Sequence, residues 1–171
     1  SVWRLSTLKS LYAYDPATDA WSERAPMPTA RGAMSVTVHD GKLYAIGGYE
    51  GRANSSAVEA FDPARNSWSV RAPLPTPRDH LATTTAAGKL YAIGGRLKGD
   101  YHRNLSVTEV YDPLSDKWSK APDLPTARMI TRSIAGRVSS SLSPNAAFDN
   151  LQWDFDMIDL AQRADAVVFG Q

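Results

Sequence analysis

The chain has 171 residues, 43% of them hydrophobic, with no cysteine and a net charge of +1 from 19 basic and 18 acidic side chains. That length and apolar content suffice for a buried core; the charge balance gives no global field favouring nucleic acid or an anionic membrane; and the missing thiols exclude disulfides and sulfur-based zinc sites. No stretch approaches the roughly 18 apolar residues of a membrane span, and the opening SVWRLSTLKSLYAYDP lacks a signal-peptide core, so a soluble chain is expected, placed by default in the cytoplasm.

Residues 1–28 carry Tyr14-Asp15-Pro16, then Trp21 and the start of APMPTAR (25–31), which reads as two strands around an Asp-Pro turn. Residues 29–75 read as four strands. AMSVTVH alternates, His-Asp-Gly turns, KLYAIGG returns, SAVEAFDP alternates again, and WSVRAP follows a second Asp-Pro turn. Residues 76–125 repeat the series: GKLYAIGG recurs letter for letter at 41–48 and 88–95, followed by Tyr111-Asp112-Pro113, Trp118 and the start of APDLPTAR (121–128). Counted from Trp21 to Trp68 to Trp118, the copies stand 47 and 50 residues apart. A period near 50 built from short strands is a propeller signal. The glycine pairs Gly47-Gly48 and Gly94-Gly95 mark places where a neighbouring group comes too close for a Cβ, and the recurring aromatic residues are expected to pack between sheets.

These residues resemble the kelch repeat, whose blades carry a double glycine, an aromatic-Asp-Pro and a Trp before a proline-rich link. The match runs from about residue 10 to 128. It implies a mainly β fold, a partial kelch-type propeller of four-stranded antiparallel blades, and a protein-interaction role without catalysis or cofactor. The expected divisions are a half blade at 1–28, blades at 29–75 and 76–125, and a separate segment at 129–171. A propeller typically closes with about four to eight blades, so the chain reads as part of one. Its exposed blade edges are candidate sites of self-association.

From about residue 134 the repeat gives way to another pattern. GRVSSSL is expected to be extended, DFDMIDLAQRA helical with an acidic first turn, and DAVVFG an apolar strand of the buried parallel kind. Pro144, Asn145, Trp153 and RADAVVFG are similar to an internal stretch of the ribokinase-like sugar kinases, with Ser143 where that family has Asp. This resemblance implies a βαβ-like remnant without the family's anion hole or catalytic Asp. It raises the alternatives of a carbohydrate-related enzyme fragment and of a chimeric or truncated gene product.

Within the repeats, catalytic and metal signals are weak. His39, His80 and His102 occupy different repeat positions and have no ligand spacing, so no metal is expected. Ser6 to Lys9 forms Ser-x-x-Lys without its companion motifs. Asp15, Asp62 and Asp112 read as turn formers. Asn54-Ser-Ser and Asn104-Leu-Ser match glycan acceptor sequons. The informative segments are the loops YEGRANSS (49–56) and RLKGDYHRNLS (96–106), which differ although the strands around them agree. Variable loops on a repeated frame are where binding usually resides. The expected binding face therefore carries Tyr49, Arg52, Arg96, Lys98, Tyr101 and Arg103, joined by the recurring Arg31 and Arg78, and an acidic protein partner is expected there.

Overall fold

Asp-Pro pairs and the turns at His39-Asp40-Gly41 and Ala86-Ala87-Gly88 divide the repeats into strands of four or five residues. In each Asp-Pro turn the Asp carboxylate accepts a backbone N–H two residues on: Ala17 to Asp15 at 2.9 Å, Ala64 to Asp62 at 3.0 Å and Leu114 to Asp112 at 2.9 Å. A computed structural model describes residues 7–129 together with 167 and 168. The strands are β1 (Leu11–Asp15), β2 (Ala20–Arg24), β3 (Ser35–His39), β4 (Lys42–Ile46), β5 (Val58–Asp62), β6 (Ser67–Val70), β7 (Ala82–Ala86), β8 (Lys89–Ile93), β9 (Thr108–Asp112), β10 (Lys117–Ala121) and β11 (Val167–Val168).

They form two complete antiparallel blades, ordered β3-β4-β5-β6 and β7-β8-β9-β10, and a third sheet ordered β11-β1-β2. Each complete blade is a meander in which consecutive strands pair, as in a kelch-type propeller. The strand expected in DAVVFG contributes Val167 and Val168, but its pairing is antiparallel: Tyr12 faces Val168 and Ala13 faces Val167. The rest of the expected βαβ unit, including the helix over DFDMIDLAQRA and the sugar kinase resemblance at Pro144, Asn145 and Trp153, lies outside the described residues. Among the described residues there is no helix.

Neighbouring blades meet through three kinds of contact. Their first strands converge at Ser35 and Thr83, whose hydroxyls lie 2.8 Å apart. Between the two complete blades, Tyr44, Ile46 and Val58 pack with Leu81, Leu90 and Tyr111, and the Tyr44 and Tyr111 rings are 6.2 Å apart in a tilted arrangement. A smaller cluster of Leu11, Leu43 and Phe61 joins the first sheet to the second. Each fully buried large apolar side chain there contributes about 1.5–3 kcal/mol.

At the outer rim the third contact repeats atom for atom. Trp68 Nε1 donates to the Ala25 carbonyl at 2.7 Å while Asn66 Oδ1 accepts from Ala25 N at 2.9 Å. In the next blade Trp118 Nε1 donates to the Ala72 carbonyl at 2.9 Å while Asp116 Oδ1 accepts from Ala72 N, also at 2.9 Å. Asn66 and Asp116 both have positive φ, 47° and 53°, a conformation that Asn and Asp tolerate better than most residues. The turn residue two before each Trp is thus selected both for its backbone and for its side-chain acceptor.

The double glycines sit where one blade's second strand ends against the next blade's entry segment. A Cβ on Gly47 would lie 2.7 Å from the Arg78 carbonyl oxygen, and one on Gly94 would lie 2.6 Å from that of Arg128. Both glycines also have positive φ, 66° and 58°. Gly48 N and Gly95 N donate to those same carbonyls at 2.9 and 3.0 Å. Close approach and hydrogen bonding together stitch successive blades.

Candidate interaction face

Arg31 and Arg78, expected on the basic face, are turned inward instead. Both side chains are 0% exposed. Arg31 donates to the carbonyls of Gly47, Ala45 and Ala57 and pairs with Glu59 at 2.8 Å. Arg78 donates to Gly94 O at 2.7 Å, Thr76 O at 2.8 Å and Ala92 O at 2.9 Å and pairs with Glu109. Burial pushes both guanidinium groups below their ordinary values, and the paired carboxylates oppose that. Guanidinium suits this role because its planar fork reaches several carbonyls and a carboxylate at once. Arg128 has no such setting among the described residues and is exposed.

The variable loops are joined by a hub that the repeat pattern does not announce. Asp79 is fully buried. Its Oδ2 accepts from Asn54 Nδ2 at 2.6 Å and Gly99 N at 2.9 Å, and its Oδ1 accepts from Arg96 Nε at 3.0 Å and His80 Nδ1 at 2.7 Å. Asn54 belongs to the first variable loop and Gly99 to the second. Asn54 Oδ1 also accepts from Lys98 N at 2.7 Å, closing the link from the other side. Burial by itself would raise the Asp79 carboxyl, but the N–H groups of Gly99, His80, Arg96 and Asn54 outweigh it and hold the group below the usual carboxylate range.

Arg96 is 5% exposed. Its NH2 lies 3.1 Å from His80 Nε2 and its NH1 lies 3.4 Å from the Met129 sulfur. Because a guanidinium only donates, His80 Nε2 is an acceptor and Nδ1 carries the proton given to Asp79. An Asp–His pair of this kind activates a nucleophile in hydrolases; here the outer nitrogen is occupied by Arg96, so the arrangement is a brace. The Tyr101 ring lies 4.1 Å from the Arg96 guanidinium carbon and is 67% exposed. Tyr101 therefore presents an aromatic surface whose base is fixed by a cation–π contact.

Of the residues expected on the binding face, Arg52, Lys98, Tyr101 and Arg103 are exposed, Tyr49 is half-buried, and Arg96 lies beneath Tyr101. Tyr49 pairs with Gly32 on one side and Asn54 on the other, which places it at the base of the first loop. His102 and Glu50 are also exposed, and Asp100 is tied to its own loop by accepting from His102 N at 2.9 Å. Asn54, a sequon residue, has both amide ends engaged. No group of three or more His, Cys, Asp or Glu side chains among the described residues is placed to hold a metal, and the described residues contain no helix long and apolar enough to cross a membrane.

Antiparallel four-stranded blades, stitched by glycine pairs and by Trp, with variable loops gathered at one end, define a kelch-type propeller segment. The chain belongs to the kelch-repeat family: the family model described as the KLHDC2/KLHL20/DRC7 Kelch-repeats domain matches residues 4–138. The chain is 39% identical to human Kelch-like protein 35 over 49 residues, covering 29% of this chain and 8% of that protein. It is 47% identical to human Kelch-like protein 5 over 45 residues, 26% of this chain and 6% of that one. It is 41% identical to the mouse influenza virus NS1A-binding protein homolog over 51 residues, 30% of this chain and 8% of the relative. The matched stretches thus span less than a tenth of each of these relatives, about one blade's length. Kelch repeats are protein-interaction modules.

Proposed function

We propose that the chain is a non-enzymatic interaction module that docks an acidic protein segment on the face formed by Arg52, Lys98, Tyr101 and Arg103. The observation that carries this reading is the Asp79 hub: it fixes two otherwise unrelated loops to one another, so that their exposed side chains form a single surface. Pre-ordering the loops before contact lowers the entropy lost on binding. Tyr and Arg are the residue types that most often dominate interface energetics, and three exposed cations beside one exposed carboxylate favour an acidic ligand. The mouse relative, named as a homolog of an influenza virus NS1A-binding protein, fits the same class of role.

Panning a random displayed peptide library on the full chain tests this proposal. Enrichment of Asp- and Glu-rich peptides is expected, with their capture lost in the triple variant Arg52→Ala, Lys98→Ala, Arg103→Ala. Neutral or basic enriched peptides, or acidic ones captured equally by the triple variant, would refute it.

A further inference from the structure

The outer strand of a propeller blade is an edge strand, and the outer strands here differ in how that edge is guarded. β2 reads AWSER, β6 SWSV and β10 KWSKA. Register makes Glu23, Val70 and Lys120 equivalent, for they face Tyr12, Glu59 and Glu109 on the strand before. Two outer strands thus carry a charge where β6 carries a valine that is 73% exposed. β6 has no charged residue along its length. Charged side chains, lysine above all, are what ordinarily stop an edge strand from pairing with another chain.

Hydrogen bonding shows which backbone groups that edge presents. Arg71 N donates to Val58 O at 2.9 Å, so in the antiparallel pair of β5 and β6 the residues at 67, 69 and 71 turn their backbone groups toward β5. Trp68 and Val70 turn theirs outward, and β6 ends the sheet order β3-β4-β5-β6, with no strand beyond it among the described residues. The next outward group, Ala72 N, is taken by Asp116 Oδ1 at 2.9 Å, which closes the open stretch. This stretch is complementary to itself. In a second copy run antiparallel, Val70 pairs with Trp68 and Trp68 with Val70, each pair exchanging two backbone hydrogen bonds, while Ser69 meets Ser69 on the two-fold axis. Arg71 then falls opposite Ser67 and Arg65 opposite Pro73, so no like charges meet.

We infer that β6 is a self-association site, at which two copies of the chain pair antiparallel through Trp68 and Val70 and join their four-stranded blades into one continuous sheet. The contact is isologous, so it closes as a dimer and does not propagate. Its apolar part is the cross-strand pair of Trp with a β-branched residue, formed twice, a combination that favours sheet pairing. The same pairing at β2 or β10 would set Glu23 or Lys120 in place of Val70. Four backbone hydrogen bonds and two such side-chain pairs make a small contact, so the dimer is weak and concentration-dependent.

Cysteine trapping tests the inference, because the chain has no cysteine of its own. Ser22, Ser69 and Ser119 hold one position on the three outer strands: all are exposed, and their hydroxyls bond the Ala13, Ala60 and Val110 carbonyls at 3.4, 3.3 and 3.5 Å. At the two-fold axis Ser69 would form a non-hydrogen-bonded pair, whose Cα atoms stand about 4.5 Å apart, within reach of a disulfide. Each serine is replaced by Cys in the full chain, and oxidation to the linked dimer is followed across a concentration series. Ser69→Cys is expected to link at least about tenfold faster than Ser22→Cys or Ser119→Cys. Adding Val70→Lys, an exposed change to the residue type that β10 carries there, is expected to slow that linkage about tenfold. Linkage of Ser69→Cys no faster than that of the other two, or a rate unmoved by Val70→Lys, would overturn the inference.

Discussion

Replacing Glu109 with Ala probes the buried ion pairs that the repeat places inside each blade. Glu109 is 5% exposed; one carboxylate oxygen pairs with Arg78 and the other accepts from the Thr76 hydroxyl at 2.7 Å. After the substitution the Arg78 guanidinium keeps its three carbonyl acceptors but loses its counter-charge at a site with no exposure. An uncompensated buried charge of this kind destabilises by about 3–5 kcal/mol. The Thr76 hydroxyl, also deprived of its partner, adds about 1 kcal/mol. Glu109→Gln retains an acceptor without the charge and is expected to fall between the parent and Glu109→Ala. Arg78→Met is expected to be less damaging in the Glu109→Ala background than alone, by about 1–3 kcal/mol, because the two groups act as a unit. Urea unfolding followed by tryptophan fluorescence measures all four variants. A Glu109→Ala chain within about 1 kcal/mol of the parent, or strictly additive effects of the two changes, would refute the reasoning, since either result means that the pair is hydrated or uncoupled.

The two glycine settings are separable. Gly41 has φ of 68° and open space where a Cβ would go, whereas Gly47 has both a positive φ and the Arg78 carbonyl 2.7 Å away. Gly41→Ala is therefore expected to lose about 1 kcal/mol and Gly47→Ala distinctly more, and equal losses in thermal or urea unfolding would contradict the close-approach argument. Asp79 carries the pH dependence of the loop face. Its folded carboxyl is depressed, so the stability it contributes is present above its unfolded value near about pH 4 and is lost as pH falls through the lower folded value. Asp79→Asn is expected to be less stable than the parent at neutral pH and to lose less stability between about pH 5 and about pH 2. Parallel stability curves for the two chains would show that Asp79 is not the source.

Much of the frame was legible because its determinants recur. Two copies of GKLYAIGG, three aromatic-Asp-Pro turns and three Trp residues fix strand order within each blade, and the variable loops between them lie at one end of the blades. The buried Arg–Glu pairs were harder to see. Arg31 and Glu59, like Arg78 and Glu109, lie far apart in sequence and meet only once the meander folds, although a Glu recurring in the otherwise apolar third strand was an available signal. The Asp79 hub was hidden for the opposite reason. Gly32, Ala33 and Tyr49 occupy the places of Asp79, His80 and Arg96 one blade earlier, so the hub does not repeat and comparison of the copies averages it away. Arg96 read as a surface cation because sequence shows its charge but not the carboxylate that draws it inward.

The most direct measurement is an amide chemical-shift map of the full chain titrated with an acidic peptide recovered by panning. Saturable shifts centred on Arg52, Asn54, Lys98, Gly99 and Arg103, weakening as salt is raised, are the expected result. Shifts gathered instead at the opposite end of the blades, around the Asp62 and Asp112 turns, would contradict the assignment of binding to the joined variable loops.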